Sequence, residues 1–284
     1  MAGRWWRRRR LRARDLAESG QGQEQCHGFV PRLQQWQHSA MAAEITGRIK
    51  QAQAIFGGIA DDYDRPAQLF GLLRYRFWQR ELAAMIAERK PAWVLDMCTG
   101  TGSIAAEIAQ RCAGRIVAVD VTRAMLTRAR RNLVLLGERT IFLQAAAQCP
   151  PFCDNAFDVV VFSYLLRYVD DVPGTIAALG RLVKPGGMLA SLEFGVPPDP
   201  ILRALWTVYT RVLLRAGLSL LSPGWRRVGG FLGHSIADFY RRHPISALEG
   251  YFQAAGFKVH PTRRLSAGGG VIMSGTKLAA GGEP

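Results

Sequence analysis

The chain has 284 residues, of which 49% are hydrophobic and 21% are charged, and its formal net charge is +15. This length and apolar content are enough to bury a core, which excludes a wholly disordered protein. The excess of positive charge favours an anionic partner, either nucleic acid or a phospholipid surface. The five cysteines are odd in number and irregularly spaced, and no histidines cluster near Cys149 and Cys153. We therefore expect reduced thiols, a cytoplasmic location and no bound metal.

The first forty residues differ in composition from the rest of the chain. Seven arginines precede the first acidic residue, Asp15, and a polar stretch with little periodicity follows at residues 20–25. We predict that residues 1–40 form a disordered basic extension. A signal peptide needs an apolar segment after its basic one, and residues 11–30 supply none. The predicted catalytic domain spans residues 41–278, and residues 279–284 form a short tail.

Hydrophobic periodicity predicts a helical lead-in from Ile45 to Arg89 and then strands alternating with helices. The predicted strands are Trp93–Met97, Arg115–Val119, Ile141–Ala145, Phe157–Ser163, Leu189–Phe194 and two late strands near residues 258–259 and 271–274. The predicted helices are Ser103–Cys112, Arg123–Leu136, Val172–Val183, residues 200–221 and Ser246–Ala255. This alternation is typical of an α/β fold with a doubly wound, mostly parallel, seven-stranded Rossmann-like sheet.

Residues 200–245 form a predicted helical insertion whose first part is strongly apolar. Arg203, Arg211 and Arg215 interrupt that part, so it does not have the charge-free run that a membrane-spanning helix needs. Two interpretations remain open. The segment is either a lid that contacts substrate or membrane, or an ordinary helix packed on the sheet.

A glycine turn, 98–102, lies between the first strand and the next helix, and it indicates a nucleotide site. Gly100 and Gly102 allow a ligand to approach the backbone, and Asp120 ends the second strand, where a carboxylate can accept both ribose hydroxyls. These features fit a dinucleotide and S-adenosylmethionine alike. Asp96 favours S-adenosylmethionine, because a carboxylate at the end of the first strand can orient the glycine turn and attract the cationic amino acid end of this donor, whereas it would repel a pyrophosphate.

Several motifs resemble known families. Residues 94–102 are similar to motif I of class I methyltransferases, 154–160 to the strand that crosses beneath the methyl donor, and 184–187 to the turn before the fifth strand. A closer resemblance is to the ubiquinone and menaquinone C-methyltransferases of the UbiE/MenG type. It is carried by residues 56–64, by Leu192-Glu193-Phe194 and by motifs that follow in the same order, and it spans about residues 50 to 277.

The resemblance implies a set of donor-site residues and also shows departures from the family pattern. The implied donor-binding residues, which include three residues of the glycine turn, are Asp96, Gly100, Thr101, Gly102, Asp120, Ala146, Ala147 and Ser163. Ala146 stands where the family usually has Asp or Asn. The family's Phe-Gly-Leu-Arg-Asn appears here as residues 164–168, Tyr-Leu-Leu-Arg-Tyr. His234 replaces the family's usual Glu.

Methylating a ring carbon requires an electron-rich ring, which a quinol becomes when a neighbouring hydroxyl loses its proton. We expect Arg167 to stabilise the phenolate, Tyr63 to position the hydroxyl or a water, and His234 to accept the proton.

The resemblance thus implies an S-adenosylmethionine-dependent methyltransferase that acts on a polyprenyl quinol of the demethylmenaquinol or benzoquinol type. Such a lipid-soluble substrate implies peripheral contact with the inner face of the cell membrane, and we expect no nucleic acid partner. Three alternatives stay open: a methyltransferase for another apolar small molecule, an RNA-binding protein driven by the arginine-rich extension, and an NAD dehydrogenase.

Overall fold

The computed structural model describes residues 47–70 and 74–279. The extension predicted for residues 1–40, and all but the first residue of the tail predicted for 279–284, lie outside the described residues. Helices in the described part are α1 (Gly47–Gly57), α2 (Asp64–Phe70), α3 (Tyr75–Ala87), α4 (Ser103–Ala109), α5 (Arg123–Asn132), α6 (Val172–Arg181), α7 (Pro200–Val208), α8 (Leu214–Ser219), α9 (Pro223–Arg242) and α10 (Ile245–Ala254).

The central sheet confirms the predicted α/β class. Its strands are β1 (Trp93–Met97), β2 (Arg115–Asp120), β3 (Thr140–Gln144), β4 (Phe157–Ser163), β5 (Val183–Phe194), β6 (Phe257–Val259), β7 (Arg263–Leu265) and β8 (Gly270–Lys277). The order is β3-β2-β1-β4-β5-β8-β6, and the short β7 also pairs with β8. Strands β1 to β5 are parallel, and β8 runs antiparallel to β5.

The strands alternate between two apolar layers because successive side chains point to opposite faces. Leu95 and Val160 face a core that includes helix α6, whereas Val94 and Val159 face a second core that includes helices α3 and α4. Both faces are therefore covered, which explains why the parallel strands are nearly continuous apolar runs in the sequence.

Several element boundaries differ from prediction. Helix α5 ends at Asn132 and is followed by a 3₁₀ segment, Val134–Arg139. Helix α6 ends at Arg181, because Val183 already pairs with Phe157 of β4. The turn predicted before the fifth strand therefore lies inside β5, where Gly186 has a φ of 76°.

The predicted insertion at 200–245 is helical, but it is not one continuous helix. A π-helical segment, Tyr209–Leu213, separates α7 from α8, and the 20-residue α9 follows. Leu218 and Trp225 pack with Ile59 of the N-terminal segment in a small separate core. Among the described residues, no helix has both the length and the apolar character needed to cross a membrane.

Candidate active site

A cleft opens at the carboxyl ends of β1, β2 and β4, and its volume, which includes space open to solvent, is about 890 Å³. Ligands of open α/β sheets bind at this edge, where the strand order reverses. One half of the cleft is formed by the glycine turn and the ends of the strands, and the other half is aromatic. Its lining residues include Ile49, Ala52, Phe56, Tyr63, Tyr75, Cys98, Thr99, Gly100, Thr101, Ser103, Asp120, Met125, Ala145, Ala146, Ala147, Ser163, Tyr164, Leu165 and Tyr168.

The two predicted glycines of the turn have different roles. Gly100 lines the cleft with a φ of 56°, and a β-carbon there would meet no protein atom within 4 Å. Gly102 does not line the cleft: it precedes helix α4 with a φ of 83°, and a β-carbon would come within 2.8 Å of Leu133 Cδ1. Gly100 therefore shapes the cleft, whereas Gly102 permits the turn and its packing.

Asp120 lies where the sequence predicts a ribose-binding carboxylate. It lines the cleft at the end of β2, and its Oδ2 accepts a 2.9 Å hydrogen bond from the Gly100 N–H. Its Oδ1 accepts a second bond, 2.8 Å long, from the Thr122 N–H. Burial raises the pKa of Asp120, and these backbone donors oppose the rise. The two bonds fix the carboxylate at the end of β2.

Asp96 lies near the end of β1 and contacts the glycine turn, but it does not line the cleft. It is fully buried and is not among the residues that line the cleft. Its Oδ2 accepts a 2.6 Å hydrogen bond from the Thr99 hydroxyl, and burial raises its pKa to about 7. Asp96 therefore supports the glycine turn from beneath, and the structure does not bring it into direct contact with the cleft.

The N-terminal segment covers the donor half of the cleft. The Asp64 carboxylate accepts a 2.6 Å hydrogen bond from the Thr101 hydroxyl, and Asn132 Nδ2 donates to the same carboxylate over 3.3 Å. Gln53 of α1 donates to the Val121 carbonyl over 3.0 Å. These contacts attach α2 to the glycine turn and α1 to the segment that follows β2.

The remaining predicted donor-site residues line the cleft. Ala146 and Ala147 follow β3, and Ser163 ends β4. The alanine side chains offer no polar atom, so in this wall only backbone groups can bond to a ligand at these two positions. The sequence comparison had indicated this loss at Ala146.

The aromatic half of the cleft contains four tyrosines. Tyr63 stacks on Trp225 with ring centroids 5.8 Å apart, and it forms a hydroxyl–hydroxyl hydrogen bond with Tyr75. Tyr75 stacks on Tyr164 at 5.3 Å. Burial raises the pKa of these hydroxyls well above the ordinary value, so they stay protonated and act as donors. The result is an apolar compartment with hydroxyl groups on its wall.

Arg167 is buried directly behind this compartment. Its guanidinium lies over the rings of Tyr168 and Phe194, at 5.1 and 5.4 Å from their centroids, and donates to Ser235 Oγ over 3.1 Å. It is only 5% exposed and does not itself line the cleft, whereas the adjacent Tyr168 does.

Glu193 is a candidate functional residue that the sequence analysis did not select. Its Oε1 accepts a 3.1 Å hydrogen bond from the Leu166 N–H. Burial raises its pKa to about 7, although the nearby charge of Arg167 opposes that rise. The residue was visible in the Leu-Glu-Phe motif, but only its burial beside Arg167 distinguishes it from a surface carboxylate.

The structure does not place His234 with the other predicted catalytic residues. It is exposed on α9 and is not among the residues that line the cleft, whereas its neighbour Ser235 points toward Arg167. Because consecutive helical residues face different directions, the prediction of a base at His234 has no geometric support.

Comparison with known proteins decides the family. The family model described as the ubiE/COQ5 methyltransferase family matches residues 45–277. The chain belongs to the ubiE/COQ5 methyltransferase family. It is 30% identical to the demethylmenaquinone methyltransferase of Clavibacter sepedonicus over 84% of this chain and 95% of that protein. It is also 30% identical to the UbiE C-methyltransferase of Hahella chejuensis, over 82% of this chain and 94% of that one.

Solved structures agree with the fold of this ubiE/COQ5 family member. The magnesium protoporphyrin IX methyltransferase of Synechocystis, solved with bound SAH, aligns with a TM-score of 0.53 at 15% identity, covering 74% of this chain and 87% of that chain. An O-methyltransferase family protein from Burkholderia thailandensis aligns with the same TM-score at 22% identity, covering 78% and 62%. The family member described here is therefore a methyltransferase with a methyltransferase fold.

Proposed function

We propose that this protein transfers a methyl group from S-adenosylmethionine to a ring carbon of a polyprenyl quinol, of the demethylmenaquinol or benzoquinol type. The observation that carries the proposal is a single cleft with two unlike halves. One half has a glycine turn and the fixed Asp120 carboxylate, and the other is an aromatic compartment backed by Arg167. The names of its relatives, demethylmenaquinone methyltransferase and UbiE, agree with this substrate class.

The donor half fits a nucleoside with a sulfonium tail. Gly100 leaves open space above the turn, Asp120 accepts from ribose hydroxyls, and Ala146 and Ala147 form a smooth wall for a flat base. Bound there, S-adenosylmethionine supplies an electrophilic methyl group. Thr101 and Asp64 hold the turn in place from the N-terminal side.

The acceptor half fits a flat ring that bears hydroxyl groups. Tyrosine and phenylalanine rings bind such a ring by stacking and edge contacts, and the low polarity around it strengthens the field of the Arg167 guanidinium. A positive charge near the ring favours loss of the hydroxyl proton and stabilises the resulting phenolate. Arg167 keeps its own proton throughout, so it acts electrostatically and not as a base.

The proposal is tested by incubating the purified full chain with S-adenosylmethionine and short-chain demethylmenaquinol or demethylbenzoquinol under reducing conditions. Mass spectrometry is expected to show a product 14 mass units heavier, the difference between a methyl group and a hydrogen. Asp120→Asn is expected to lower kcat/KM by about 100-fold, because the ribose contact is charge-assisted. Asp61→Asn, at a position whose side chain is 84% exposed, is the matched control. Absence of product from both quinols would refute the substrate class.

The same proposal places the protein at the inner face of the cell membrane, in contact with the bilayer that dissolves its substrate. Ile201, Leu205, Val208 and Val212 are each more than half exposed, and their spacing puts them on one face of α7 and the π-helical segment. Arg211 and Arg215 are exposed beside them. Apolar side chains flanked by arginines suit the boundary between acyl chains and anionic headgroups.

Membrane contact is tested by co-sedimentation with vesicles of neutral lipid and of lipid containing phosphatidylglycerol. We expect binding to the anionic vesicles that decreases with salt, and loss of binding in the Leu205→Asp, Val212→Asp double variant. The matched control is Val134→Asp, Leu135→Asp. That exposed apolar pair lies in the 3₁₀ segment between α5 and β3, outside the surface formed by α7 and the π-helical segment. Equal binding by both variants would refute this surface as the contact.

A further inference from the structure

Tyr164 has a backbone conformation that tyrosine seldom adopts. It directly follows β4, and its φ of 54° lies in the left-handed region. Its N–H donates a 2.8 Å hydrogen bond to the Leu192 carbonyl, which holds the residue in this conformation. A left-handed conformation costs a non-glycine residue about 1 kcal/mol. Strain of this kind is characteristic of functional sites.

The ring of Tyr164 is tightly fixed. It stacks on Tyr75 with centroids 5.3 Å apart and planes 15° apart, and it lies 4.4 Å from the Phe194 centroid. Tyr164 also lines the aromatic half of the cleft. The orientation of the ring in the free protein is therefore set by these contacts.

That hydroxyl is buried and has no hydrogen-bond partner among the residues that the structure describes. The hydroxyls of Tyr63 and Tyr75, in contrast, bond to one another. A buried polar group without a partner costs about 1–3 kcal/mol.

We propose that binding of the methyl acceptor uncovers the Tyr164 hydroxyl, which then donates a hydrogen bond to a ring oxygen of the acceptor and so determines which acceptors the enzyme uses. This inference rests on the proposed function, because it assumes an oxygenated ring in the aromatic half of the cleft. A buried donor rewards an acceptor that carries the matching oxygen and penalises one that does not, since the donor would then stay unsatisfied. The cost of keeping the hydroxyl in the free protein is recovered only in the complex.

The test compares Tyr164→Phe with Tyr240→Phe. Tyr240 has a second buried hydroxyl without a partner among the described residues, but it is not among the residues that line the cleft. Both variants are expected to unfold at the same temperature as the unchanged protein or a higher one, because each loses an unsatisfied polar group. Only Tyr164→Phe is expected to raise KM for the quinol, by about 10-fold, the value of one hydrogen bond. Its kcat and its dissociation constant for S-adenosylhomocysteine are expected to stay within about two-fold.

The possible outcomes separate this inference from the proposed function. An unchanged KM in Tyr164→Phe, or weaker binding of S-adenosylhomocysteine in place of a raised KM, would overturn the inference alone. A loss of stability with unchanged KM would assign the hydroxyl a structural role and overturn it as well. Failure of the unchanged protein to methylate any quinol would overturn both.

Discussion

The Thr101 hydroxyl donates a 2.6 Å hydrogen bond to the Asp64 carboxylate, joining the glycine turn to the segment that covers it. The two residues are 37 positions apart, and Arg128 and Asn132 of helix α5 approach the same carboxylate. Asp64 therefore connects the cover, the turn and α5 at one point.

Asp64→Asn is expected to weaken S-adenosylhomocysteine binding by about 10-fold, because it removes a charge-assisted hydrogen bond to the turn. Isothermal titration calorimetry measures this change. Thr101→Val is expected to have a similar effect, and the losses are expected to be less than additive in the double variant, because both changes act on the Thr101–Asp64 hydrogen bond. Asp61→Asn is the control, and additive losses would contradict the direct coupling.

Substitutions of the two glycines of the turn are expected to differ in their effects on stability and on donor binding. Gly102→Ala is expected to lower the free energy of unfolding by about 2–3 kcal/mol, because the residue has a positive φ and the new β-carbon would meet Leu133. Gly100 also has a positive φ, but there is open space around the position of the new β-carbon, so Gly100→Ala is expected to lower the free energy of unfolding by only about 1 kcal/mol. Because Gly100 lines the cleft, this substitution is expected to weaken donor binding more than Gly102→Ala does. Urea unfolding and calorimetry distinguish these results, and equal loss of stability in both would contradict the assignment.

The raised pKa of Glu193 predicts that the stability of the fold depends on pH. Its pKa in the folded protein is about 7, above the ordinary value of 4.5, so the folded state holds a proton that the unfolded state has released. Stability is therefore expected to fall as pH rises from about 4.5 to 7. Asp96, whose pKa is also raised to about 7, contributes in the same direction.

Glu193→Gln is expected to make this fall shallower without removing it, because Asp96 still contributes. Urea unfolding at pH values between 5 and 8 measures the slope. Glu81→Gln, which changes a carboxylate paired with Arg263 at the surface, is the control. A slope unchanged by Glu193→Gln would show that the proton is held elsewhere.

Replacement of Arg167 is expected to lower activity and stability for two different reasons, which a double variant can distinguish. Arg167→Met is expected to lower kcat by about 100-fold, through loss of the positive charge behind the ring. It is also expected to destabilise the fold at pH 8, because Glu193 is ionised at that pH and would lose the nearby positive charge. Adding Glu193→Gln is expected to restore stability but not kcat. Recovery of kcat in the double variant would contradict an electrostatic role for the guanidinium.

The sequence predicted the strands of the site well because they are buried on both faces. Trp93–Met97 and Phe157–Ser163 coincide with β1 and β4, since such strands are short apolar runs ended by polar or turn residues. The glycine turn and Asp120 could be predicted for the same reason, because each marks the point where a buried strand ends at the edge of the sheet that binds ligands.

Helix α9 was less visible, since its sequence contains several glycines. Gly229 and Gly233 are needed because a β-carbon would come within 3.1 Å of Leu218 Cβ and 2.9 Å of Thr210 Cβ. They allow α9 to approach the preceding helices closely, which local propensity cannot indicate. The roles of Glu193 and His234 likewise depend on whether the side chain is buried in the folded protein, which the spacing of residues in the sequence does not indicate.

The position of β8 in the sheet also bears on how the enzyme is made. Val271 of β8 pairs with Glu193, and Gly270 pairs with Phe194, so the wall behind the acceptor compartment requires a strand near the carboxyl end of the chain. The cover, in contrast, comes from residues 47–70. During translation, the wall of this compartment therefore cannot be completed until residues 270–277 have been synthesised, long after the cover.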